Sequence, residues 1–270
     1  MSLRAQRYAK LTQGRVPNPF KPAVSDRRES NPFLGGLGFC FVLMMQISWF
    51  PQNCSAGSAN RNNLITRLSP VESMKNLEHN KDYVELSTFP TIHIDLKYAT
   101  TDNFMGVNLY GPVTQCFLHK DSAKKFKQAV ENLGKVKPSW SFIVFDALRP
   151  RSVQWKMWDH VKDTPQRKYV ANVEIGSAHN YGMALDLSLL DEKGGEVDMG
   201  TAFDSFSPLA EPRLEVKFLK EGKLTRRQLE NRLILRKVMT EAGFLQLSHE
   251  WWHYNALPEP VIRKKYKIVE

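Results

Sequence analysis

Two short segments lying far apart constrain this chain more than anything else in it. One reads S-A-H-N-Y-G-M-A-L-D over residues 177–186, the other H-E-W-W-H-Y over 249–254. They offer His179, Asp186 and His253, two imidazoles and one carboxylate. That donor set, with a fourth position left open, suits a catalytic zinc ion. Glu250, a carboxylate beside the third ligand, is the group such a site needs to take a proton from water. Any fold of this chain must bring the two segments together, and the chain reads as a zinc hydrolase.

The local patterns agree. Residues 183–189 alternate as a strand does, with Leu185, Leu187 and Leu189 on one face and Ala184, Asp186 and Ser188 on the other. Asp186 can therefore enter a cleft while the leucines fill a core. Gly182, between the first two ligands, permits a tight turn or a close approach of backbone to metal. Glu250 and His253 are three apart and would face opposite ways on a regular strand, so a turn, bulge or helical twist is expected there. Trp251 and Trp252 read as walls of the cleft or as core. His249 is not needed as a ligand, and His79, His93, His119 and His160 have no partner by spacing.

The pattern S-x-H-x-x-G-x-A-x-D followed by E-x-W-H resembles the zinc peptidases of the D-alanyl-D-alanine peptidase family. Three further segments are similar to its dipeptidase branch: L-K-Y-A-T-T-D-N-F-M-G at 96–106, F-D-A-L-R-P at 145–150 and M-G-T-A-F-D at 199–204. The resemblance runs from about residue 82 to the C-terminus. Ala147 and Leu148 depart from it, standing where a glycine and an aromatic are more usual. It implies that His179, Asp186 and His253 hold one Zn2+ and that Glu250 is the general base. Arg149 would steady the oxyanion, and Asp204, assisted by Tyr98 and Ser177, would bind the free ammonium of a small dipeptide. The implied reaction is hydrolysis of D-alanyl-D-alanine to two D-alanines. Rival readings are a D,D-carboxypeptidase or peptidoglycan endopeptidase of the same metal family, and a non-catalytic zinc-bearing binding module. A binder has no need of a base at Glu250, and a longer peptide has no ammonium for Asp204.

The formal net charge is +10. Seven lysines and arginines against two acids before residue 60 supply half of that excess. No aromatic–basic stripe or nucleic-acid motif accompanies it, so no nucleic-acid partner is expected. Residues 33–50 are apolar and uncharged, preceded by basic residues and followed by the small residues of C-S-A-G-S-A at 54–59. That order reads as a secretory signal cleaved after Ala56 or Ala59. The run is also just long enough for an uncleaved anchor, the only expected membrane attachment. Either way the protein is expected to be exported, to the periplasm or cell envelope, for cell-wall chemistry. Of the three cysteines, Cys116 alone lies in the domain, which excludes an internal disulfide and a cysteine–zinc site there. It reads as a small buried hydrophobe.

The chain divides into a leader (1–59), a polar linker (60–81) and a catalytic domain (82–270). Strands are expected at 91–98, 141–146 and 183–190 and helices at 121–135, 151–161 and 225–242, with residues 245–254 bringing in the last metal segment. Asp121 or Ser122 would cap the first helix, with Ala123, Phe126, Val130 and Leu133 as its apolar stripe. Thr225 and Gln228 would form a capping box on the last, Leu229, Leu233, Val238 and Met239 would face inward, and Gly243 would stop it. Strands mixed with helices, without regular βαβ alternation, argue for an α+β fold. The expected architecture is a central, mostly antiparallel sheet flanked by helices, with the zinc site in a cleft on the sheet.

Overall fold

The computed structural model describes residues 68–89 and 91–270. The basic leader, its apolar run and residues 60–67 lie outside the described residues, and with them the signal, anchor and cleavage expectations. Among the described residues no helix is long and apolar enough to cross a membrane.

The domain is α+β. Its main sheet has five strands in the order β2-β4-β5-β7-β6, with β2 at Ile92–Ile94, β4 at Ser141–Asp146, β5 at Ala184–Leu190, β6 at Leu245–Gln246 and β7 at His253–Asn255. Only the β2–β4 pairing is parallel; the other three are antiparallel. A separate antiparallel pair joins β1 (Tyr83–Glu85) to β3 (Phe117–His119). The helices are α1 (Pro70–Lys75), α2 (Lys120–Val136), α3 (Arg151–Val161), α4 (Glu215–Lys220), α5 (Arg226–Glu241) and α6 (Glu259–Lys265).

The alternation in β5 organises the core. Leu185, Leu187 and Leu189 are fully buried in one cluster with Phe126, Ala129 and Leu133 of α2 and Leu235, Val238 and Met239 of α5. Asp186 and Ser188 are therefore left on the other face of the sheet, also buried. The register shifts in β4 between Val144 and Asp146, so that Asp146 stands opposite Asp186. Such a bulge re-aims the residues that follow it, here Asp146 and Arg149.

Several elements differ from the expectation. The strand expected over 91–98 ends at Ile94 and gives way to a 3-10 turn, Lys97–Ala99, where Lys97 is pinned between Asp95 and Asp102 at 2.9 Å each. Helix α2 is capped by His119, whose Nδ1 accepts from the Asp121 amide, because the Asp121 carboxylate is taken by Tyr266 and Lys265. In the supposed linker, Ser69 and Glu72 form a capping box on α1, and Met74 and Leu77 are buried against the domain. On α5 the box of Thr225 and Gln228 forms, but Leu233 is exposed and the inward row includes Asn231 and Arg232. Cys116 is buried, which raises its thiol well above its usual value.

Candidate metal centre

The centre is built where three adjacent strands meet. Asp186 stands in register with Asp146 on one side and His253 on the other. His179 arrives on a 3-10 turn, Ala178–Tyr181, immediately before β5. Gly182 closes that turn at φ +64°, and a Cβ on it would lie 2.7 Å from the His119 amide nitrogen. The close approach that calls for glycine is thus to the backbone of β3. Bends at 248–252 precede β7 and supply the expected irregularity between Glu250 and His253.

Each imidazole is oriented by its far nitrogen. His179 donates Nδ1–H to the Ala147 carbonyl at 2.6 Å, and His253 donates Nε2–H to Asn255 Oδ1 at 2.8 Å. Such bonds fix the tautomer and leave the near nitrogen bare. The bare atoms converge: His179 Nε2 lies 3.1 Å from His253 Nδ1 and 3.2 Å from Asp186 Oδ2, and His253 Nδ1 lies 2.9 Å from Asp186 Oδ1. Three facing lone pairs repel unless a cation sits among them. A tetrahedral ion with bonds of about 2.0–2.2 Å spaces its ligand atoms roughly 3.3–3.6 Å apart, so a small opening of this trio admits one. Burial pushes the Asp186 carboxyl up, but the two imidazoles outweigh it and hold it well below the usual carboxylate range.

All the expected site residues line one cavity of about 310 Å³. Glu250 Oε2 is 3.9 Å from His253 Nδ1, and burial pushes its carboxyl up to about 8 against the pull of His253. Arg149 is buried, with Nε 2.7 Å from Asp146 Oδ2, Nη1 2.9 Å from Gln154 Oε1 and Nη2 3.5 Å from Asp186. Its guanidinium lies 4.9 Å from the centre of the Tyr98 ring. Tyr98 donates its hydroxyl to Asp204 Oδ1 at 2.9 Å, while Asp204 Oδ2 is buried with no partner. Burial, aided by the charge of Asp186, pushes the Asp204 carboxyl up to about 7. Asp204 has φ +57° and is the one non-glycine among the described residues with positive φ. Ser177 caps the turn of His179, accepting from its amide at 3.3 Å. His249 stands beside Glu250, its Nε2 3.5 Å from Oε1.

Four residues at the site went unread in the sequence. Asp146 accepts from Tyr110 at 2.6 Å as well as from Arg149. Gln154 links Arg149 to the Ala171 carbonyl, and Asn255 holds His253. An acid ending an apolar strand, and a polar residue two after a ligand on the same strand face, were the available signals.

A family model described as D-ala-D-ala dipeptidase matches residues 80–269. The chain is 33% identical over 178 residues to the D-alanyl-D-alanine dipeptidase of Escherichia coli, covering 63% of this chain and 81% of that protein. It is 33% identical over 162 residues to that of Synechocystis sp., covering 49% and 66%. Over 184 residues it is 29% identical to that of Enterococcus faecalis, covering 62% and 86%.

Proposed function

Because the chain belongs to the D-ala-D-ala dipeptidase family of metallopeptidases, we propose that it hydrolyses free D-alanyl-D-alanine to two D-alanines, using one zinc ion held by His179, Asp186 and His253. The observation that carries the choice of a dipeptide is the orphaned, buried Oδ2 of Asp204. A buried carboxylate without a partner is costly. The free ammonium of a dipeptide, one residue from the scissile bond, relieves that cost. A wall pentapeptide brings a neutral amide to the same place and leaves Asp204 unsatisfied.

Zinc bound there supplies Lewis acidity, drawing the pKa of water toward ~7 and polarising the scissile carbonyl. A cation at the neighbouring trio would favour the ionised form of Glu250, which takes the proton as the water oxygen adds to the amide carbon, then passes it to the nitrogen as the C–N bond breaks. Arg149 faces the developing oxyanion with a charge that cannot be lost. Its fork is fixed beforehand by Asp146 and Gln154. Tyr98, whose hydroxyl burial keeps protonated, fixes one oxygen of Asp204 and leaves the other for substrate. Ser177, which retains its own O–H to donate, assists at the substrate's polar ends.

The test compares zinc-loaded protein on free D-Ala-D-Ala, its N-acetylated form and a wall pentapeptide. A site that pairs a buried polar group discriminates by up to ~10⁴-fold, so the free dipeptide is cleaved far faster. Equal kcat/KM on free and acetylated dipeptide transfers the assignment to a carboxypeptidase. We further propose an exported, cell-envelope location for wall-derived dipeptide, supported by the order of the basic, apolar and small-residue segments before residue 60.

A further inference from the structure

Helix α5 contributes nothing to the cavity wall, yet beside its buried Leu235, Val238 and Met239 it turns polar side chains toward a neighbouring loop. Gln228, Asn231 and Arg232 all bind the segment that carries Asp204. Gln228 Nε2 donates to Asp198 Oδ2 at 3.0 Å and Asn231 Nδ2 to the Asp198 carbonyl at 2.8 Å. Arg232 donates Nε–H to the Met199 carbonyl at 2.7 Å and Nη1–H to the Leu209 carbonyl at 3.1 Å. Met199 and Leu209 each lie five residues from Asp204, so one guanidinium clasps both ends of its loop.

The Arg232 side chain is fully buried and its Nη2 has no partner; Nη1 also meets Glu215 Oε1 at 3.5 Å, an acid that Arg236 already holds at 2.7 and 2.8 Å. An apolar side chain commonly fills such a space at lower cost than a buried ion. What the guanidinium supplies is a fixed separation between two carbonyls. Asp204, at φ +57°, needs that, because a non-glycine keeps such a conformation only where its surroundings over-determine it. The base is tied to the same frame. Trp251, whose ring centre lies 5.9 Å from the Arg232 guanidinium carbon, donates Nε1–H to Thr201 at 2.8 Å.

We propose that Arg232 is a positioning residue for substrate selection. It clamps the 199–209 loop so that Asp204 meets a free ammonium. The proposal rests on the ammonium-binding reading of Asp204.

The experiment uses zinc-loaded full chain, comparing kinetics on free and N-acetylated D-Ala-D-Ala for the parent, Asp204→Ala, Arg232→Lys and Asn231→Ala. A misplacement of about 1 Å costs up to ~100-fold. Arg232→Lys is expected to lower the free-to-acetylated ratio about tenfold or more, through KM for the free dipeptide, with kcat within about threefold and zinc content unchanged. Asn231→Ala, which removes one clasp and no charge, lowers the ratio less. The proposal is overturned if Asp204→Ala abolishes discrimination while both α5 variants keep the parent ratio, or lose both substrates equally. If Arg232→Lys fails to fold, Asn231→Ala decides on the same criterion. A parent that does not discriminate removes the Asp204 reading itself, and the proposal with it.

Discussion

At the scale of single residues, the chemistry rests on carboxylates kept in unlike surroundings. Asp186 is held low by two imidazoles, whereas Asp204 is pushed up to about 7. The Asp204 carboxyl ionises near 3.8 when exposed, so from about pH 4 to 7 the unfolded chain gives up its proton first. Folding stability from this group is complete below about pH 4 and is lost as pH rises through about 7. Asp204→Asn, which keeps an acceptor for Tyr98, should therefore stabilise the protein by up to ~4 kcal/mol at pH 8. The gain should shrink toward zero near pH 4.5 in urea unfolding; a gain independent of pH contradicts the assignment. In the parent, KM for the free dipeptide should rise as pH falls below about 7, and in the variant this rise should be absent. Glu250→Gln should keep zinc and fold while kcat falls on the order of 10²–10⁴-fold. Near-parental turnover would mean that the base lies elsewhere. His179, Asp186 and His253 stood out because histidines and an acid at that spacing have few other uses, and the fold brings their donor atoms together. Asp146, Gln154 and Asn255 were not, since residues that act on other residues leave no spacing of their own.

At the scale of elements, strands and helices were read where apolar periodicity was strong. Strand β4 and helix α3 have the expected bounds. Helix α5 has the expected cap but not the expected face, because its inward side answers loop carbonyls as well as a core. A reading that seeks apolar stripes assigns Leu233 inward, and it is 44% exposed. The turn before β5 is the element most sensitive to one atom. Gly182→Ala places a Cβ against the His119 backbone at φ +64°. The conformation alone costs roughly 1–2 kcal/mol, and the contact adds to it. The variant should unfold at lower urea and bind zinc more weakly, since the turn that shifts carries His179. Unchanged zinc affinity would show that the turn and the ligand move independently.

At the scale of the whole molecule, the proposed export carries a prediction of its own. N-terminal sequencing of exported protein should show a start near Gly57 or Asn60; intact Met1 on soluble cytoplasmic protein would reject both the signal and the anchor. The proposed export rests on composition alone, and the sheet order was not legible at all, because long-range pairing follows from the whole core. That order has a consequence for how the protein is made. Asp186 and His253 are neighbours across β5 and β7 although 67 residues separate them in the chain. Their distance closes only when the C-terminal strand docks in register, and a slip of one residue turns Asp186 to the opposite face. Uptake of the proposed metal is therefore a clock for folding. In a stopped-flow refolding experiment with a zinc indicator, capture should trail the helical signal and coincide with burial of the β7 segment. Every metal-loaded molecule has then already passed inspection of its sheet.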